Sequence, residues 1–508
     1  MVKAMAKVNL KISKELWLLG LILVVGAFLR LYKIDQYMTF LGDEGRDVII
    51  VSRFIKHFDL MLVGPGTSVG NMYLGPLYYY LMVPALFLAG FSPVGPAVQI
   101  AILGVATIAL IWWMGRQWWG KTAGLVAAAL YAVAPTVIIF SRSSWNPNIM
   151  PFFSLLCIYS IWKVYKDRKY KWLIVLGVSY AFVLQSHYLG LLLAPTIFVY
   201  WLSTYLKIRN SKSEIRKYLN NSLIALSVFV LLMSPLLIFD ARHGWRNYEA
   251  MKQFITARQE TVSIKPWKVI PNMWPIFEKV TTRLLTARNE IAGKTVSLIL
   301  LFLIGWIIAG WKKIDHRLRI AYGILFIWLA FALIGLGLYK QEIYDHYFGF
   351  IFPAPFLLMG GLAENLFRNK KYKILVYMVL LVLLFINLNK TPIRFPPDLQ
   401  LQRTKVIAKF INEKSGGERF NIATISERNN RDVYQYFLLL WGSKVVDTDP
   451  SALKYTITDQ LFVVCEKPKE KCDPIHDPSA WITNFGWTKI VDQWEVWGAN
   501  VYKLGHSD

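Results

Sequence analysis

Residues 38–50 read MTFLGDEGRDVII, a cluster of acid–base groups in a chain otherwise short of acids. Asp43 and Glu44 are adjacent, Arg46 and Asp47 follow, and apolar residues flank the group. A carboxylate placed there can take the proton of a hydroxyl or amine nucleophile as general base. Four more polar stretches interrupt apolar runs in the same way. SRSSWNPN carries Arg142, Asn146 and Asn148; QSHYLG carries His187 and Tyr188; DARHGWRNY carries Arg242 and Arg246; KQEIYDHYF carries Lys340, His346 and Tyr347. Tyr78 opens a run of three tyrosines. Arginine and lysine can neutralise an anionic leaving group such as a phosphate, and aromatic residues can hold a sugar or a lipid. The set suits attack on a sugar whose anomeric carbon bears a lipid-linked phosphate, through an oxocarbenium-like transition state.

Each group also has a plainer explanation. Asp43 and Glu44 can cap an interfacial helix. WNPN can be a turn before a helix. His187 can be a buried, satisfied histidine, and Arg242 and Arg246 can be solvated rim charges. The convergence of five loops favours chemistry, because ionisable groups at membrane depth are expensive and tend to be functional.

The elements that must position these residues follow from composition. The chain has 508 residues, is 55% hydrophobic and has a mean hydropathy of +0.39. Apolar runs recur at roughly the 20-residue length that spans a bilayer as a helix. This is the pattern of an all-α polytopic membrane protein. The net charge of +25 would point to nucleic acid in a soluble protein. Here the basic residues crowd into short loops as topology signals, and no RNA-binding motif accompanies them, so no nucleic-acid partner is expected. The N-terminus has lysines, an apolar stretch and no small-x-small cleavage site, and it runs into Arg30 and Lys33. It reads as an uncleaved first helix with a cytoplasmic N-terminus.

The basic loops at 116–121, 163–171, 207–217, 312–319 and 368–373 are expected to be cytoplasmic. The five polar stretches then all fall outside. If 75–91 also crossed, every later basic loop would invert, so this segment is expected to lie along the outer interface. That leaves about eleven transmembrane helices, the last at 374–389. The expected membrane domain covers 1–390, with outer loops at 34–93 and 240–294. Residues 391–508 read as helix, strand, helix and a further strand in DQLFVVCE, forming a small extracytoplasmic α/β domain. It shows no nucleophile elbow or metal-ligand cluster, and reads as an acceptor-binding or covering element. Cys465 and Cys472 are poorly spaced for zinc, and a local disulfide is open to them outside the cell.

From 16 to 390 the chain resembles the C-type glycosyltransferases, specifically the group of protein O-mannosyltransferases and lipid A aminoarabinose transferases. The resemblance rests on FLGDEGRD after the first helix, GPLYYYLMVPALF, WNPN and HYFGFIFPAP. It implies a polyprenyl-phosphate-sugar donor, chemistry on the extracytoplasmic side, and interfacial helices in the first loop. It also implies that the first-loop acid is the catalytic centre, which carries over to Asp43 with Glu44 beside it. Some relatives have a further acid in the second loop. Residues 141–148 have Arg142 and no carboxylate. A divalent metal therefore stays open, with Asp43 its candidate ligand.

The expectation is an inverting glycosyltransferase of the cell membrane, with an envelope lipid, glycan or protein as acceptor. Asp43 deprotonates or orients the acceptor, and Glu44 supports it or binds a sugar hydroxyl. Arg142, Arg242, Arg246, Lys340 and His346 are candidates for the donor phosphate. Arg46, Asp47, Tyr78, Asn146, Asn148, His187, Tyr188 and Tyr347 complete the substrate-binding set. The alternatives are a transporter or flippase of polyprenyl-linked sugars, and a lipid-linked glycan ligase. A transporter predicts charges deep inside spans and internal repeats; the ligase shares this architecture.

Overall fold

The computed structural model describes residues 13–67, 72–256, 262–263 and 265–507. The lysine-bearing N-terminal flank lies outside them. Among the described residues, six helices are long and apolar enough to cross a bilayer: Val94–Trp118, Tyr188–Ile208, Lys212–Arg242, Glu290–Ala309, His316–Gly337 and Lys370–Asn389. A seventh forms if Asp345–Ile351 and Pro353–Phe367 count as one span bent by 54°. The expected eleven are thus not all free-standing spans. Lys14–Leu31 carries Glu15 and a fully buried Arg30, which donates to the carbonyls of Gly26 and Ala132. Lys121–Val133 breaks before Pro135 and resumes as Pro135–Phe140, because proline brings no N–H to the ladder. Met150–Asp167 ends in a charged turn, and Trp172–Ser186 has only 15 residues. Packing against neighbours, rather than length, secures these elements.

Helix Leu77–Leu88 has 12 residues, about 18 Å at 1.5 Å per residue. A hydrocarbon core is about 30 Å thick, so this helix is too short to cross alone. Gln99 donates to its Leu81 carbonyl at 2.7 Å, and its Leu77 N–H donates to Gln185 at 3.2 Å.

The basic loops meet at one end of the bundle. Arg116 pairs with Glu15 at 2.6 Å, and Arg168 pairs with Glu214 at 2.9 Å. Arg317 donates to the Gln117 carbonyl, and Glu364 accepts the Ala123 N–H at 3.2 Å. The five polar stretches gather at the other end.

Residues beyond Asn389 form a four-stranded sheet in the order β1 (Asn421–Ile425), β2 (Gln460–Cys465), β4 (Ala499–His506), β3 (Thr488–Val496). β1 and β2 are parallel, and the other pairings are antiparallel. Both parallel strands are buried on both faces, which explains their unbroken apolar runs. Ile422, Phe462 and Val464 pack toward helices Gln400–Lys414 and Asp432–Leu440, while Ala423, Leu461 and Val463 pack toward Ile482 and Phe485. Cys465 and Cys472 are joined by a disulfide.

This sheet layer shares its core with the first outer loop. Met38, Phe40 and Val48 belong to one apolar cluster with Leu401, Val433 and Phe437. The close approach depends on two glycines. A Cβ on Gly45 would lie 2.6 Å from the Val433 backbone nitrogen, and one on Gly42 would lie 2.5 Å from the Asn430 side chain.

Candidate active site

The acidic stretch forms the first turn of helix Gly42–His57. Its four acid–base residues do different work. Glu44 is buried, and its Oε2 accepts the Leu41 N–H at 3.0 Å, closing the turn that starts the helix. Burial pushes its carboxyl up to about 8, with Asp43 and Asp47 adding to the rise, so Glu44 is mostly protonated at neutral pH. That is the capping role open to Glu44 from the sequence, and the carboxyl is turned to the Leu41 backbone. Asp47 has a fully buried side chain. Its Oδ1 receives Arg46 at 2.7 Å and the Tyr79 hydroxyl at 3.0 Å, while its Oδ2 is buried without a partner. Burial raises Asp47 to about 6, and Arg46 opposes the rise. Asp43 alone of the three looks outward, with 47% of its side chain exposed. Arg46 holds its Oδ1 at 2.8 Å, and the Trp145 indole N–H holds its Oδ2 at 3.1 Å. Arg46 thus bridges a buried carboxylate to an exposed one.

Trp145 leads into an aromatic wall. Its ring lies 4.6 Å from His346, which lies 4.6 Å from Tyr347 and 5.7 Å from His187. His187 stacks on Tyr188 at 4.4 Å, and the Tyr188 and Tyr339 hydroxyls are 3.3 Å apart. The Leu189 N–H donates to His187 Nδ1 at 3.2 Å, which leaves the proton on Nε2. Burial and the neighbouring His346 lower His187 to about 3, so the ring is neutral.

Other expected residues serve as supports. The Tyr78 hydroxyl bonds Ser144 at 2.7 Å, Asn146 donates to the Ser186 carbonyl at 2.6 Å, and Asn148 donates to the Ser143 carbonyl at 2.8 Å. These bonds make SRSSWNPN a rigid turn that aims Trp145. Arg142 is turned inward: it donates to the Leu29 carbonyl at 3.1 Å and the Tyr32 carbonyl at 2.6 Å, and lies over the Tyr37 ring. Its guanidinium therefore ties the second loop to the end of the first helix. Arg242 and Arg246 are exposed. The nearby Asp240 accepts the Asn247 and Tyr248 N–H groups, so that loop is organised by the acid.

Several cations carried no sequence signal because they sit in an apparently ordinary loop. Arg283 and Arg288 both pair with Asp345, at 3.2 and 2.8 Å, immediately before His346. Lys268 and Lys279 join Lys340 around a cavity of about 500 Å³ that reaches Tyr339. A larger cavity of about 950 Å³ is lined by Arg142, Arg288, Lys390, Ile291 and Phe385. It combines cations with apolar side chains that face outward from the bundle. No group of three or more His, Cys, Asp or Glu side chains among the described residues is placed to hold a metal ion. Arg46 and Trp145 each donate to one Asp43 oxygen, which leaves a further lone pair on each oxygen of this half-exposed carboxylate.

Comparison with known proteins now has a geometry to be set against. Residues 74–235 match the family described as dolichyl-phosphate-mannose-protein mannosyltransferase. The match begins beyond the acidic helix. Across 96% of this chain and 97% of the other, the fold is similar to ArnT from Cupriavidus metallidurans bound to undecaprenyl phosphate, at 13% identity and a TM-score of 0.58. The Archaeoglobus fulgidus oligosaccharyltransferase tethered with an acceptor peptide is similar over 89% of this chain and 68% of its own, at 13% identity and a TM-score of 0.51. No curated protein sequence matches. At these identities the structural likeness establishes the fold. It is the fold of ArnT, and the partial match over 74–235 is to a family of sugar transferases.

Proposed function

We propose that this chain is a glycosyltransferase that moves a sugar from a polyprenyl-phosphate-linked donor to an acceptor on the extracytoplasmic face, with inversion. The observation that carries the reading is Asp43. It is the outward-facing carboxylate of a cluster whose other acids are spent on structure. Its Oδ atoms are oriented by Arg46 and Trp145, and an aromatic wall stands beside it.

Asp43 accepts the proton of the acceptor hydroxyl as that oxygen bonds to the anomeric carbon. The bond from that carbon to the phosphate breaks, and the electron pair leaves with the polyprenyl phosphate. A single displacement of this kind inverts the anomeric configuration. The large cavity suits the donor. Its apolar lining, Ile291 and Phe385, takes the prenyl chain, while Arg288 and Lys390 meet the departing phosphate. The polyprenyl phosphate bound in ArnT supports this assignment. Two features support the orientation: the basic loops gather away from Asp43, as cytoplasmic loops do, and the Cys465–Cys472 disulfide fits an oxidising compartment. On this reading the membrane is the plasma membrane, spanned about eleven times, and residues 391–508 lie outside it.

The test is transfer from a panel of radiolabelled polyprenyl-phosphate sugars in membranes, comparing wild type with Asp43→Asn at equal expression. Loss of transfer by a factor of about 10² to 10⁴ is the expected result for removing a general base. Full transfer by the variant would remove Asp43 from the chemistry. Transfer is expected to survive a chelator. Donor movement across the bilayer without transfer would favour a flippase.

A further inference from the structure

A second cleft lies at the seam between the sheet layer and the start of the acidic helix. It encloses about 350 Å³, and Phe40 and Leu41 form one side of it. Leu41 stands two residues before Asp43, and the Asn430 side chain abuts Gly42. The opposite side is built from the loops that leave the carboxyl ends of the parallel strands β1 and β2. That is the edge at which open α/β sheets present their ligand sites. The disulfide Cys465–Cys472 closes the second of these loops, which contributes Glu466 and Lys467 to the cleft.

The chemistry of the lining is specific. Glu466 sits at its base and is held by three donors: Ser426 at 2.9 Å, Asn429 at 3.0 Å and Tyr434 at 2.5 Å. A carboxylate fixed in this way is pre-organised rather than mobile. Gln400 accepts the Phe40 N–H and Arg403 donates to the Trp497 and Gly498 carbonyls, which fixes both side chains, while Arg428 and Lys467 add further donors to the lining. A fixed carboxylate that accepts, set beside cations that donate, matches the hydroxyls of a sugar ring, each of which both donates and accepts. The volume is at the small end for a ligand pocket, and no residue of the four strands lines the cleft, so it offers a peptide no free strand edge.

We propose that this cleft is the docking site for a carbohydrate acceptor, which it delivers to Asp43 along the Leu41 side. The inference rests on the reading that the chain transfers a sugar, and it names the acceptor as a glycan headgroup rather than a peptide.

Thiol protection tests it on the full chain in detergent. Cys157 is buried and the other two cysteines are paired, so an added thiol reports its own site. Ser426→Cys and, separately, Arg428→Cys are labelled with a maleimide in the presence of methyl glycosides, a neutral tripeptide or undecaprenyl phosphate. Saccharides are expected to slow labelling about tenfold when present at roughly ten times their dissociation constant, as simple occupancy requires. Tripeptide and lipid are expected to have no effect. Protection by the tripeptide alone would make the acceptor a peptide and overturn the proposal. Protection by the lipid alone would make the cleft part of the donor path, and failure of every saccharide on both variants would also overturn it. Repeating the assay in Asp43→Asn separates the two readings. Binding is expected to persist there, whereas the transfer assay judges catalysis.

Discussion

Three carboxylates within five residues are not three copies of one function. Asp43 is exposed and oriented, Asp47 is buried and paired, and Glu44 is buried and caps. Because Glu44 is raised to about 8, it is already mostly uncharged at neutral pH. Glu44→Gln keeps the acceptor oxygen for the Leu41 N–H, and is expected to keep most of the transfer rate. Glu44→Ala loses that bond and is expected to cost about 1 kcal/mol of stability, read as a lowered thermal midpoint. The same cluster sets a pH dependence. Asp47 must be ionised to hold Arg46, which in turn orients Asp43. As pH falls through about 6, Asp47 takes a proton and transfer is expected to decline. Stability should run the other way. Both carboxyls are raised above their unfolded values, so the fold binds their protons more tightly than the unfolded chain does. Their contribution is present at low pH and is lost as pH rises through about 6 for Asp47 and about 8 for Glu44. A pH series of transfer rates and thermal midpoints checks the opposed slopes.

At the scale of elements, the acidic helix is clamped from two sides. Helix Leu77–Leu88 supplies Tyr79 to Asp47, and helix Asp432–Leu440 packs on the opposite flank through Gly45. The absence of a side chain at Gly45 is what permits that contact, since a Cβ there would sit 2.6 Å from backbone, which cannot yield as a flexible side chain would. Gly45→Val is therefore expected to push the C-terminal helix away. The expected result is at least about 2 kcal/mol of destabilisation, the scale of overpacking a core, with a fall in transfer though Asp43 is intact. Protease sensitivity of residues beyond 390 would report the displaced helix. Unchanged stability and proteolysis in Gly45→Val would show that the contact is not needed.

For the whole molecule, the membrane bundle and the sheet layer form one structure joined through the first outer loop. Phe40 sits with its ring 5.8 Å from that of Phe437, and its N–H donates to Gln400 at 3.0 Å. A chain ending at residue 390 would expose the apolar face of that seam, including Phe40 and Val48. It is expected to be poorly folded and inactive, and not restored when residues 391–508 are supplied as a separate polypeptide. Size-exclusion profiles and transfer by the two-part protein check this. Recovery of activity would mean that the C-terminal segment folds and docks by itself.

The amino-acid sequence alone determined the class of molecule and that its polar stretches gather at one end of the bundle. Those properties depend on hydropathy and on the placement of lysine and arginine, which act locally and leave a linear trace. It also marked the acidic pair and, beyond residue 390, two helices and the two parallel strands, whose turns and apolar runs are local as well; the β3–β4 hairpin was not marked. Tertiary structure decided which acid faces outward, because burial of Glu44 and Asp47 is set by neighbours far along the chain. It turned Arg142 into an internal clamp, left Arg242 and Arg246 at the exposed rim, and brought Arg283 and Arg288 to Asp345. It broke one apolar run before Pro135 and bent another by 54° before Pro353, since a helix packed among others is held by contacts rather than by its own length. The cleft between Leu41 and Glu466 joins residues more than four hundred positions apart. No periodicity or composition records such a meeting, which exists only when the chain is folded.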